Sequence, residues 1–172
     1  MRRVEVVRTY LEMVERKEAE AGGGPEAWAR VERLVECPVS FFRYLYAEVG
    51  RGYHWYDRLR WSDAEVRARL KDPAVSLHLL SVGGAPAGYF ELQSHPDGSV
   101  EIAYFGLLPE FIGRGLGRHL LREATAEAWA RGPSRVWLHT CTLDDRAALP
   151  NYLARGFRPF KTEVYQAELP DE

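Results

Sequence analysis

A chain of 172 residues, 46% hydrophobic and 28% charged, is long enough to bury a core and too ordinary in composition for wholesale disorder. Its formal net charge of −2 gives no reason to expect nucleic acid or an anionic membrane as a partner. Two cysteines make no disulfide framework, no apolar run approaches membrane-spanning length, and the opening "MRRVEVVRTYLEM" carries Glu5 where a signal peptide would be unbroken. A single cytoplasmic domain over residues 1–172 is therefore expected.

In chain order, Val4, Val6 and Tyr10 suggest a first strand, and the triple glycine of "EAGGGPEA" (residues 20–27) a flexible connection. Pro25 is expected to open a short helix to about Glu36. "PVSFFRYLYAEVG" follows as a second helix, with Phe41, Leu45 and Val49 on one face and Gly50 closing it. "SDAEVRARLKD" opens on a capping box, Ser62 to Glu65. Three strands come next, residues 74–82, "AGYFELQ" and "SVEIAYFGLLP", joined by the turns "GGAP" and "HPDG". A helix from Leu116 to about Arg131 carries the apolar stripe Leu116, Leu120, Leu121, Ala124, Ala128 and Trp129. The strand "RVWLHTCT", the short helix in "DRAALPNYLARG" and the strand "KTEVYQAEL" complete the chain. This order predicts a mixed α/β sandwich, an antiparallel meander with one β-α-β crossover.

Between the meander and the long helix lies "PEFIGRGLGRHLL", with glycine at 113, 115 and 117. A helix N-terminus offers free amides and the positive end of its dipole, and glycines let an anion reach them, with Arg114 and Arg118 adding charge. A plain tight turn is the rival reading. The stretch has no lysine for a nucleotide P-loop, its spacing fails the dinucleotide fingerprint G-x-G-x-x-G, and the chain has one crossover where a dinucleotide fold needs several.

The segment Ile112-Gly113-Arg114-Gly115-Leu116-Gly117 resembles the pyrophosphate loop of the GNAT acetyltransferases, [RQ]-x-x-G-x-[GA]. "DRAALPNYLARGF" is similar to that family's N-x-x-A-x-x-x-Y-x-x-x-G-F, with Ala148, Tyr152, Gly156 and Phe157 in register. The likeness covers residues 74–168 well and the N-terminal third loosely. Ile112 departs from the [RQ] position and Asp145 from the asparagine, and Pro150 stands inside the short helix.

The resemblance implies the GNAT fold, with splayed central strands, and acetyl-CoA as acyl donor for an amine. It implies a cofactor site of Phe105, Gly106 and Leu107 along the strand, Ile112 to Arg118 in the loop, and Tyr152. Gly106 is expected to mark the bulge that splays the strand, with a packing accommodation as the alternative. Tyr152 matches the family tyrosine that protonates the departing thiolate. Glu101 is the candidate base, with Glu91 or a water chain as alternatives; His139 is a further base candidate that a central strand makes a core histidine first, and Cys141, which could suggest an acyl-cysteine intermediate, is read as core because direct transfer is the family's habit. The aromatic stretch from Tyr44 to Trp61 offers Tyr53, His54, Trp55, Tyr56 and Trp61 as an acceptor wall, alongside Glu91, or else as a hydrophobic cap with Arg58 paired to Asp57 or Asp63. No metal site is expected. The acceptor, a small-molecule or peptide amine, stays open, as does assembly as a homodimer. An acyl-CoA-binding sensor without turnover is the alternative function.

Overall fold

The computed structural model describes residues 1–16 and 28–171. Its elements in chain order are β1 (Arg2–Met13), β2 (Ala29–Arg33), α1 (Val39–Gly50), α2 (Asp63–Lys71), β3 (Val75–Val82), β4 (Ala85–Ser94), β5 (Ser99–Leu107), α3 (Leu116–Ala130), β6 (Arg135–Cys141), α4 (Ala148–Ala154) and β7 (Arg158–Leu169). The seven strands form one sheet in the order β2-β3-β4-β5-β6-β1-β7. Every neighbouring pair is antiparallel except β5 and β6, which the α3 crossover joins in parallel. This is the predicted mixed architecture. No helix among the described residues is long and apolar enough to cross a membrane.

Local chemistry explains most of the boundaries. The β3–β4 turn sits on Gly83 and Gly84 and the β4–β5 turn uses Gly98, all at positive φ where glycine carries no Cβ penalty. Ser62 and Glu65 form the expected capping box, each side chain engaging the other residue's amide. Helix α3 buries Leu116, Leu120, Leu121, Ala124 and Ala128, while Trp129 is partly buried at the stripe's edge. Helix α1 buries Phe42, Leu45, Tyr46 and Val49, a face rotated slightly from the predicted one, so that Phe41 is only partly buried.

Strand residues alternate between two cores. Phe90 packs with Leu92, Leu120 and Leu138 under α3 and α4, whereas its neighbour Tyr89 packs with Phe42, Leu45 and Val66 under α1 and α2.

Two expectations are corrected. Residues 29–33 form a strand rather than the second half of a helix, pairing Ala29 with Val82 through Arg33 with His78. The open edge of β3 supplies hydrogen bonds that outweigh a weak local helix preference. The connection at residues 20–27 and the proposed helix start at Pro25 lie outside the described residues. The bulge in β5 is at Ala103, not Gly106: Glu91 faces Tyr104 while Leu92 faces Ile102, leaving Ala103 as the extra residue. Gly106 pairs in register with Tyr89, and a Cβ there would lie 2.5 Å from Val49 Cγ1. Its absent side chain lets α1 close on the sheet.

The feature that positions the site is where β5 and β6 part. They pair at Ser99–Arg135, Val100–Val136 and Glu101–Trp137 and no further, although β5 runs on to Leu107 and β6 to Cys141.

Candidate functional site

Beyond Glu101 the diverging strands enclose a cavity of about 940 Å³ lined by both strands, the glycine loop, α4 and the segment after α1. On this side β5 has lost its neighbour, so the backbone groups it turns toward β6 have no strand to bond. An extended chain bearing amides can bond to such an edge as an added strand does.

At one end the loop meets α3. Gly113 and Gly115 adopt φ of 85° and 74°, and a Cβ built on either meets nothing within 4 Å. Packing does not demand these glycines; the backbone conformation does, and the space beside them is left open. Gly115 is the N-cap of α3 and brings no side chain to the first-turn amides. Ile112, Gly113, Gly115, Gly117 and Arg118 line the cavity, as do Phe105, Gly106 and Leu107. Arg114 and Leu116 do not: the Arg114 guanidinium lies 5.2 Å over the Phe111 ring, and Leu116 is 1% exposed in the core. These residues fit a pyrophosphate at the uncapped helix start and a pantetheine arm along β5.

Tyr152 lies on α4, 7% exposed, with Phe105 and Phe157 edge-on at 6.1 and 6.2 Å. Burial first, and then the charge of Asp144, raises its pKa above the ordinary tyrosine value. The phenol is therefore protonated at neutral pH and able to donate. Asn151 on the same helix donates to the Gly117 carbonyl at 3.4 Å, tying α4 to the start of α3.

The other face of the split holds the acceptor candidates. Trp55 lines the cavity and packs against Tyr46 and Tyr104, at 5.6 and 5.0 Å. Tyr53 reaches across and donates to Asp145 Oδ2 at 3.4 Å; burial, then Asp145, pushes its pKa up to about 12. His54 holds a φ of 60°. Tyr56 lies off the cavity, 39% exposed and bonded to His54 Nδ1 at 2.9 Å.

The aromatic faces already hold a cation of the protein's own. The Arg58 guanidinium sits 4.0 Å over Tyr104 and 4.7 Å over Trp61. Its partner is neither Asp57 nor Asp63 but Glu91, which it grips with both Nη atoms at 2.7 and 2.8 Å. Asp63 pairs with Arg43 at 2.8 Å. Arg69 closes a triad from the other side, donating to Glu91 Oε2 at 2.6 Å. Glu91 is 0% exposed and absent from the cavity lining, so it braces the wall from behind instead of meeting a substrate.

Glu101 lines the cavity where the split begins, with Oε1 held by His95 Nε2 at 2.9 Å. His139 and Cys141, expected in the core, both line the cavity. The His139 ring is exposed to this space, and burial of the Cys141 thiol, with Asp144 nearby, raises its pKa and keeps it un-ionised. Arg8 and Tyr165 also line the cavity. They come from the two terminal strands and had no local signal in the sequence; only the pairing of β1 with β6 and β7 brings them here.

Comparison with known proteins agrees with this geometry. The Acetyltransferase (GNAT) family model matches residues 34–157. The mycothiol acetyltransferase of Saccharopolyspora erythraea is 31% identical over 93 residues, 54% of this chain and 30% of that protein. That of Jonesia denitrificans is 27% identical over 135 residues, 74% of this chain and 43% of that protein. The chain thus spans less than half the length of these curated relatives. A crystal structure of a GCN5-related N-acetyltransferase from Sphaerobacter thermophilus matches with a TM-score of 0.70 at 18% identity, over 96% of this chain and 52% of that one, which is a likeness of fold. The family match spans the split strands, the glycine loop and the Tyr152 helix, and on that ground the chain belongs to the GNAT acetyltransferase family.

Proposed function

We propose that the protein is an acetyl-CoA-dependent N-acetyltransferase that moves the acetyl group directly onto a primary amine. The observation that carries this reading is the split itself: an unpaired β5 edge running from Glu101 toward an uncapped, glycine-lined helix start. Acetyl-CoA, when bound, supplies the acetyl group as a thioester. The first-turn amides of α3 and Arg118 hold its pyrophosphate, and the residues 105–107 edge holds the arm. Tyr152, kept protonated by burial, gives its proton to the departing sulfur. Glu101, whose carboxylate lines the cavity, acts as the base for the amine's proton. The un-ionised Cys141 supports direct transfer over an acyl-cysteine route.

Release of CoA thiol from acetyl-CoA, followed across a panel of amines, tests the reading. Tyr152→Phe should lower kcat by about a hundredfold or more with acetyl-CoA affinity kept. Binding of acetyl-CoA with no turnover on any amine, unchanged in Tyr152→Phe, would leave an acyl-CoA sensor as the function.

A further inference from the structure

Arg8 lines the cavity from β1, level with Cys141 on β6 and Glu163 on β7. Paired residues of neighbouring strands share a face, so Arg8, Cys141, Trp137 and Glu101 all belong to one side of the sheet. The core that holds Leu138 and Tyr152 lies on the other side. Cys141 stands four residues beyond Trp137, the β6 partner of Glu101, which is about 13 Å along the strand. With an acceptor amine at Glu101, Arg8 therefore meets a different part of the same acceptor.

The guanidinium is held in place but not satisfied. It lies 4.9 Å over the Tyr165 ring, and Nη2 donates to the Tyr165 hydroxyl at 3.4 Å, longer than the usual range. Its Nε is buried and has no hydrogen-bond partner. Its one ion pair among the described residues is with Glu163, at 3.8 Å. That carboxylate is held more closely by Lys161, at 2.7 Å, and by the Tyr10 hydroxyl, at 3.0 Å. Asp144 is also engaged elsewhere, accepting from Thr140 Oγ1 at 2.5 Å and from the Cys141 amide at 2.9 Å. Arg58 and Arg69, by contrast, both grip Glu91 at 2.6 to 2.8 Å. An arginine kept only to tie β1 to β7 would close on Glu163, because desolvated donors left unpaired are costly.

We propose that Arg8 binds a carboxylate of the acceptor, so that the substrate is an aminocarboxylate, an inference that rests on the N-acetyltransferase reading above. The planar fork of N–H donors matches the two oxygens of a carboxylate. The site suits a single negative charge: with Glu163 and Asp144 close by, a phosphate dianion would face two acids against one arginine. The acceptor then lies across the β6–β1 face, its ammonium at Glu101 and its carboxylate on Arg8, and the two anchors fix the direction in which it enters. A plain alkylamine lacks the second anchor.

Matched acceptors separate this role from a structural one: glycine, β-alanine, γ-aminobutanoate and ε-aminohexanoate against ethylamine, propylamine, butylamine and hexylamine, with O-phosphoethanolamine as the phosphate arm. Wild type should favour its best aminocarboxylate over the matched alkylamine by about ten- to a hundredfold in kcat/KM, mainly through KM. Arg8→Met should abolish that preference by raising KM for the aminocarboxylate, while alkylamine kinetics and acetyl-CoA affinity stay near wild type. Arg8→Lys should restore part of it. Glu163→Gln, which removes the competing carboxylate and leaves Arg8 in place, should keep or increase the preference, so the test stands even where Arg8→Met does not fold. Transfer to alkylamines with no preference for a carboxylate overturns this inference and leaves the transferase reading intact. Equal losses for both acceptors in Arg8→Met, a preference unchanged there, or one lost in Glu163→Gln would overturn it too, as would O-phosphoethanolamine outrunning every aminocarboxylate. Wild-type protein that binds acetyl-CoA but acetylates none of these probes overturns the transferase reading and this inference with it.

Discussion

Strand β5 meets the split with a packed layer behind it, whereas β6 meets it with polar side chains facing open space. On the β5 side, Tyr46, Trp55, Tyr104 and the Arg58–Glu91–Arg69 triad are locked together by short bonds and ring contacts, and Glu91 is entirely shut away from the cavity. On the β6 side, His139 and Cys141 stand beside Arg8 and Tyr165, partly open and loosely bonded. The closest charge contact there is Arg8 to Glu163 at 3.8 Å, and Glu163 is held more tightly by Lys161, at 2.7 Å. One wall is closely bonded within itself, whereas the other turns polar side chains toward the cavity.

Truncation should expose this difference most strongly. Glu91→Ala leaves two arginines uncompensated in the β5 wall, at a cost of about 3–5 kcal/mol, read as a lower urea midpoint. His139→Ala on the β6 wall should cost less than about 1 kcal/mol. Similar losses at the two sites would erase the asymmetry.

Gly106→Ala comes next. Its new methyl would meet Val49 Cγ1 at 2.5 Å, and overpacking of this kind costs about 1–3 kcal/mol. Thermal unfolding of that variant measures how rigidly α1 is set against β5.

Gly115→Val should be milder for the fold, about 1–2 kcal/mol from its positive φ, because a Cβ there meets open space. Its larger effect should fall on acetyl-CoA affinity, measured by calorimetry, since the side chain would occupy the cradle.

The last effect is read by titration. His78, 5% exposed and stacked on Phe90 at 4.5 Å, has its pKa lowered to about 4, by burial first and then by Arg131 and Arg33. The folded state therefore binds fewer protons than the unfolded chain between pH 6.5 and 4, and stability should fall as pH drops through that window. His78→Gln should flatten this part of the melting-temperature profile, and His139→Gln should change it less.

How much of this was legible in the sequence follows from the range of the forces involved. The glycine loop, the Ser62–Glu65 box and the Tyr152 helix are each written within a dozen residues, and all appear where the sequence places them. The residues of β2 carry no local strand signal, because their partner, the edge of β3, lies some 50 residues away. Proximity along the chain offers Asp57 and Asp63 to Arg58, yet its partner sits 33 residues on. A strand in mid-sheet is usually flanked on both sides, which makes His139 a core residue by pattern; β6 loses its β5 neighbour after Trp137, and no local pattern records that. The bulge moved from Gly106 to Ala103 for a related reason: the glycine answers to α1, a contact invisible along the strand.

The most direct test of the account is a thermal shift of the whole chain with acetyl-CoA, CoA and NAD side by side. Ligand at 100 times its dissociation constant adds about 2.7 kcal/mol, which at this size raises the melting temperature by roughly 5–10 °C. The account predicts such a rise with both CoA species, its loss in Gly115→Val, and none with NAD. No rise with either CoA species at millimolar concentration would contradict it, and the split would then be a fold without its donor.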